Sequence, residues 1–319
     1  MSIIIKFIFY ILFVNVSLFA YDDFIVDTHS SVSDKVKVTS KYIDKTLNNW
    51  LVFSDDNKTD LLEKEVNSVD SFYKNEKFID ETENSFVRLR IWRSYSSLEN
   101  SRFNIGLRAH LALSKTRKNL KLFLEDINQD NFNNILLKDA SSESSAIGLS
   151  YFTLGYYGID SKYSLGIRGF YPYIKIRYKK IFKIKDWLIE PSQTFKYSTK
   201  TDFTEETNLY FDTKIDDLDM FRVQLSRGTS SDKKGMDYSM SFQYFYSPKK
   251  NTGVSLTQSF LGNTETINYV DTYNTELNWR QSIWKKWFFY EVRPGIDFKK
   301  SYDFKPNYKL MLLTDFYFR

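Results

Sequence analysis

From Phe86 to the end of the chain, apolar and polar residues take turns with a period of two. The last stretch shows it most plainly. In Asn307 to Phe318, Tyr308, Leu310, Leu312, Thr314, Phe316 and Phe318 share one side of an extended chain, and Lys309, Met311, Leu313, Asp315 and Tyr317 share the other. Strands of soluble proteins run to about 5 or 6 residues, whereas a tilted membrane-spanning strand needs roughly 9 to 11 with one face turned to lipid. Similar segments recur at Phe86–Trp92, Phe103–Ala112, Leu120–Glu125, Ser145–Thr153, Lys162–Gly169, Pro172–Lys179, Trp187–Tyr197, Thr207–Ile215, Met220–Ser226, Asp237–Tyr246, Gly253–Phe260, Tyr269–Arg280 and Trp287–Asp297. The pattern predicts an all-β chain, a transmembrane antiparallel up-and-down β-barrel of about 12 to 14 strands. An even count puts both ends of the barrel on one side. The connections at Ser114–Asn119, Asp216–Asp219, Pro248–Asn251 and Ser282–Lys286 then share the side of the termini, and the longest, Ile127–Ser144, falls opposite.

Before Phe86 the period is helical. Ser31 with Asp34 reads as a capping box, followed by Val36, Ile43, Leu47, Trp50 and Leu51 at helical spacing. After a turn at Ser54–Lys58, Asp60 with Glu63 repeats the cap signal, and Leu62, Val66, Val69 and Tyr73 continue it. Two amphipathic helices are expected, covered by the barrel mouth, its lumen or the membrane surface. Earlier still, Met1–Ala20 has one charge at Lys6, an apolar run and Ala20 before Asp22 and Asp23, the form of a secretory signal peptide. The expected division is signal peptide 1–20, periplasmic helical segment 21–84 and barrel 85–319.

With its terminal strand ending on Phe316 and Phe318, the chain resembles the outer-membrane β-barrel proteins of Gram-negative bacteria, porins among them. Arg319 follows those rings, and Leu313 stands where many members have Gly. The resemblance implies an outer-membrane location, assembly by the barrel-assembly machinery, and contact with outer-membrane lipids and lipopolysaccharide. It also implies passage of small solutes or a structural role in the envelope.

Composition adds to this reading. Aromatic residues make up 18% of the chain and charged residues 27%, a mixture that suits a wall apolar outside and polar inside. With no cysteine there is neither a disulfide nor a thiolate ligand, and a net charge of +5 is too mild to imply nucleic acid. No cofactor is expected. The inward faces carry Arg88, Arg90, Arg108, His110, Arg177, Glu190, Asp212, Arg222, Glu276, Arg280, Glu291 and Arg293, with Asp315 and Asp297 among the opposing acids. Around water these line a pore with a slight bias towards anions; around a closed interior they pair and hold the barrel shut. Trp284 and Trp287 flank the cationic pair Lys285-Lys286, and Tyr244 and Tyr246 precede Pro248-Lys249-Lys250. With Phe316 and Phe318, these rings are expected at headgroup level.

Four further features have a bland reading beside the chemical one. His110 in a lipid-acting hydrolase would need a nearby Ser and an acid or amide, and the flanking sequence holds no such cluster. Asp126, Asn128 and Asp130 have oxygen-ligand spacing for Ca²⁺, but Asn131 and Leu137 depart from the EF-hand pattern, so no metal is expected. Arg177, Lys179, Lys180, Lys183 and Lys185 form a basic run suited to lipid phosphates or a solvated turn, and His29 is expected to be an exposed polar residue. The surface-binding alternative would use the outer loops, which are mostly short.

Overall fold

The computed structural model describes residues 22–50, 85–113, 120–125, 145–154, 156–249, 251–265, 270–282, 285 and 287–318. One helix, α1 (Asp22–Trp50), precedes the strands β1 (Phe86–Ser96), β2 (Arg102–Ala112), β3 (Leu120–Glu125), β4 (Ala146–Leu154) and β5 (Ile159–Arg168). β6 runs over Tyr171–Lys180 and resumes over Phe182–Ile184. Then come β7 (Trp187–Ser198), β8 (Asp202–Lys214), β9 (Asp219–Ser230), β10 (Asp237–Lys249), β11 (Thr252–Asn263), β12 (Val270–Gln281), β13 (Phe288–Lys299) and β14 (Pro306–Phe318). The two pieces of β6 are one strand, because the register to β7 is the same on both sides of Ile181: Lys179 faces Ser192 and Phe182 faces Ile189.

Each strand pairs antiparallel with its sequence neighbours, and β1 pairs with β14 from Val87↔Phe318 to Ser96↔Lys309. The sheet closes on itself with fourteen strands. Closure leaves no backbone edge to satisfy in lipid, the condition any membrane-crossing sheet must meet. Burial follows the alternation. In β1, Phe86, Arg88, Arg90 and Trp92 are buried, and Val87, Leu89 and Ile91 between them are not. In β2, Phe103, Ile105 and Leu107 are exposed on the outside while Arg108 and His110 are buried inside. A belt of exposed apolar residues around buried charges inverts a soluble protein and matches a barrel solvated by hydrocarbon.

The C-terminal ends of β2, β4, β6, β8, β10, β12 and β14 share one end of the barrel with α1, here called the near end. β3 ends and β4 begins at the opposite, far end, where Glu125 faces Ala146. The strand ends that flank Ser114–Asn119, Asp216–Asp219, Pro248–Asn251 and Ser282–Lys286 therefore lie together at the near end.

Two glycines shape the interior of the thin β3–β5 wall. Gly148 and Gly166 face each other across β4 and β5, and the buried rings of Phe123 and Tyr173 press over them. A Cβ on Gly148 would lie 2.3 Å from the Leu165 carbonyl oxygen and 2.8 Å from the Phe123 ring. The Gly148→Val variant is therefore expected to lose about 1 to 3 kcal/mol of stability, the usual cost of overpacking. The check is the temperature at which the folded gel band converts to the unfolded one, which should fall.

The helical segment differs from expectation. α1 begins at Asp22, so Ser31 lies inside it and caps nothing. The run Thr28-His29-Ser30-Ser31 reads as a helix boundary because hydroxyl side chains compete for backbone groups, but packing against the barrel overrides that local preference. The contact face is also not the expected apolar stripe alone, for Ser33, Ser40 and Asp44 are buried on it. The second expected helix, the turn at Ser54–Lys58, the signal segment 1–20 and the Asp126-Asn128-Asp130 run lie outside the described residues.

Candidate functional site

The chemistry of the chain is gathered inside the barrel, and three walls of the lumen differ in character. On the β12–β14 and β1 wall, charges of alternating sign are linked across four strands. Arg90 donates through Nε and Nη2 to the two carboxylate oxygens of Asp315, at 2.7 and 2.8 Å. Arg280 Nη1 donates to Asp315 Oδ2 at 3.0 Å and also pairs with Glu291. Arg293 donates to Glu291 Oε2 at 2.8 and 2.6 Å and faces Glu276 at 3.9 Å. The Arg280 guanidinium lies 4.4 Å over the Phe289 ring. Arg280 and Asp315 are fully buried, so side chains rather than solvent surround this part of the lumen.

A buried ion is stable only with partners at hydrogen-bond distance, and the strand register supplies them. Arg90 faces Asp315 across β1 and β14, and Arg280 faces Glu291 across β12 and β13. Beside this network, Arg88 and Arg108 face each other across β1 and β2. Arg108 Nε donates to His110 Nε2 at 3.3 Å, and the imidazole stacks on Phe86, centroids 5.2 Å apart. That ring nitrogen is thus engaged by a guanidinium.

A second wall, β8 to β11, is mostly neutral. Ser226, Ser239, Ser241, Ser255 and Ser259 are buried there; its charges include one ion pair and the inward Glu206, which accepts from Asn208 Nδ2 at 2.7 Å. Arg222 grips Asp212 with two hydrogen bonds, at 2.7 and 2.9 Å, between the rings of Tyr210 and Phe245.

The third wall, β3 to β7, is basic. Lys162, Lys175, Arg177, Lys179 and Lys196 occupy inward positions of β5, β6 and β7, with Asp160 and Glu190 as the acids on those inward positions. Lys121 and Lys162 converge over the Phe152 ring, at 4.7 and 5.1 Å. The basic run expected to meet lipid phosphates is therefore divided. Arg177 and Lys179 turn inward while Lys180 takes the outer face, because a two-residue period sends neighbours to opposite sides. The convergence of lysines from four strands has no signature in any one segment.

The near mouth is the remaining part of the site. Of the rings expected at headgroup level, Tyr244, Tyr246 and Phe316 face outward, with Phe316 against Phe288 at 5.0 Å. Trp284 lies outside the described residues. Trp287 corrects the expectation: it packs on the inner-rim cluster of Phe86, Phe289 and Tyr317, since it shares the inward parity of Phe289 and Glu291. His29 of α1 is not a free surface residue either. Its ring stacks on Trp287 at 3.9 Å and lies 5.1 Å from Phe318, and Nε2 donates to the Tyr317 carbonyl at 2.8 Å. Eleven residues on, Ser40 Oγ meets Ser85 Oγ at 2.9 Å, next to the Ala112 carbonyl. α1 is thus pinned along the near rim of β14, β1 and β2. Outward Trp187, Trp279 and Tyr290 complete a near-end girdle that the turn motifs alone do not reveal.

Among the described residues no cluster of His, Asp or Glu has metal-holding geometry. No protein-family profile matches the sequence, and no curated protein does. Solved structures similar to the chain include an anion-selective porin from Comamonas acidovorans, at 8% identity and a TM-score of 0.47, covering 74% of this chain and 99% of the other. Another is OmpT, an outer-membrane protein of Vibrio cholerae, at 9% identity and a TM-score of 0.45, covering 73% and 96%. The KdgM porin in complex with disordered oligogalacturonate aligns at 8% identity and a TM-score of 0.37, covering 72% and 98%. The closed fourteen-stranded barrel rests on the chain's own strand register.

Proposed function

We propose that the chain is a narrow passive pore of the Gram-negative outer membrane, admitting small solutes with a preference for anions. The observation that carries this reading is the asymmetry of the lumen. One wall neutralises its charges in a buried alternating network, while the opposite wall sets Lys121, Lys162, Lys175, Arg177, Lys179 and Lys196 against few acids. Fixed charges in a low-dielectric channel set a local potential that concentrates counter-ions. The residues expected to line the lumen divide accordingly. Arg90, Glu276, Arg280, Glu291 and Arg293 would narrow the channel, Arg88, Arg108 and His110 would extend that wall, and Asp212 and Arg222 would form an inert neutral pair. Arg177 would contribute to the conducting side, with Glu190 as its local counter-charge.

The near end would face the periplasm, where α1 covers part of the mouth, and the aromatic girdles would meet lipid and lipopolysaccharide headgroups. Purified protein in planar bilayers should give discrete conductance steps. In a KCl gradient, the reversal potential should lie towards the chloride equilibrium value. Replacing Lys162, Arg177 and Lys179 by glutamine should move it towards zero. Silence across all voltages would remove the pore reading in favour of a closed scaffold.

A further inference from the structure

The outer surface of the barrel is not uniformly suited to lipid. Gln193, Thr207 and Arg227 fall in one cross-strand row of β7, β8 and β9, all pointing outward. The next outward row on the near side is apolar, made of Pro191, Leu209 and Leu225; on the far side of the polar row, β7 and β8 carry Phe195, Tyr197 and Phe203. On β8 and β9 the far-side row continues as Glu205 and Thr229, so the polar group is flanked by apolar residues on its near side and along β7. It forms one network: Gln193 Nε2 donates to Glu205 Oε1 at 2.9 Å, Thr207 Oγ1 to Gln193 Oε1 at 2.6 Å and Arg227 Nε to Thr207 Oγ1 at 3.1 Å. Arg227 Nη2 reaches Glu205 Oε1 at 3.3 Å. Farther round the wall, outward Thr275 of β12 donates to Gln258 of β11 at 2.6 Å. The opposite wall differs, for the outward positions of β2 and β3 are Phe103, Ile105, Leu107, Ala109, Leu111, Leu120, Leu122 and Leu124.

A guanidinium and a carboxylate facing hydrocarbon are costly, and in membranes such groups usually face protein. The Arg227 side chain remains 55% exposed and that of Glu205 31%. Their internal contacts leave Arg227 Nη1 and Glu205 Oε2 to be filled from outside. One donor and one acceptor side by side are self-complementary under a two-fold axis, which would set Arg227 of each copy beside Glu205 of the other. We propose that a second copy of this chain packs on the β7–β9 face and that the barrel acts as a paired unit in the membrane.

The absence of cysteine makes the test direct, since a single introduced thiol can bridge only between two chains. Leu225→Cys lies outward beside Arg227, and Leu107→Cys lies outward on the opposite wall. A short bifunctional thiol reagent applied to intact membranes should convert Leu225→Cys to a band of twice the mass and leave Leu107→Cys as a single chain. Adding Arg227→Met to Leu225→Cys should weaken pairing about tenfold, the effect of losing roughly 1.4 kcal/mol. The heat-dependent gel shift should remain, showing that the barrel still folds. Cross-linking at both positions alike, at Leu107→Cys alone, or at neither would overturn the proposal, as would a strictly monomeric mass in mild detergent. A monomer that still conducts ions would leave the pore reading standing.

Discussion

The Asp315→Ala variant is expected to lose about 3 to 5 kcal/mol of stability, the range seen when one partner of a buried ion pair is removed. Asp315 is fully buried and accepts from both Arg90 and Arg280, so its loss strands Arg90 inside the barrel and takes from Arg280 one of its two carboxylates. Arginine stays protonated at any accessible pH and has no neutral form to retreat to. The damage should spread, because Arg280 also holds Glu291, which in turn holds Arg293. Urea unfolding in detergent micelles or lipid vesicles is the measurement, and the midpoint should fall well below that of the unaltered chain. Asp212→Ala strands only Arg222, which keeps the faces of Tyr210 and Phe245, and should cost less. If Asp315→Ala unfolds where the unaltered chain does, water already compensates the two arginines, and the picture of a side-chain-filled wall fails.

The same residues show how far the sequence can be read. Asp315 and Arg90 can be assigned to the interior from period-two parity alone, because their neighbours Leu89, Ile91, Thr314 and Phe316 hold the other face. Their partnership cannot, since 225 positions separate them and only closure of β1 on β14 makes them neighbours. The strand count is similarly legible to within one hairpin: the short pieces between Ser145 and Lys179 leave twelve or fourteen open, and Ile181 interrupts β6 just beyond them. α1 is the least legible element. Its serines signal a boundary locally, yet Ser33 and Ser40 turn to the rim, and the partners of His29 all lie near the C-terminus. Parity also explains Trp287: reading the turn as a set of aromatics around lysines loses the distinction between a ring that faces headgroups and one that faces inward.

Deletion of residues 22–50 should leave the barrel folded and enlarge its single-channel conductance. The strands close without α1, since every strand of the sheet has two strand neighbours and β1 meets β14 directly. Fourteen strands spaced about 4.8 Å and tilted about 40° enclose a backbone cylinder roughly 28 Å across, much of which inward side chains fill. A helix with its side chains is about 10 to 12 Å thick, comparable with the passage that remains, so its removal from the near rim should raise conductance roughly twofold or more. His29→Ala and Trp287→Ala test the attachment separately. Either removes the 3.9 Å ring stack, and either should increase the frequency of transitions to the larger step without changing its size, because the helix would detach more often but cover the same area when seated. Unchanged conductance in the deletion, with the folded gel band intact, would assign α1 to bracing the β14–β1 seam instead. In that case the unfolding midpoint should drop, because the deletion takes away the His29 hydrogen bond to Tyr317 and the Ser40 contact with Ser85 at the place where the barrel closes.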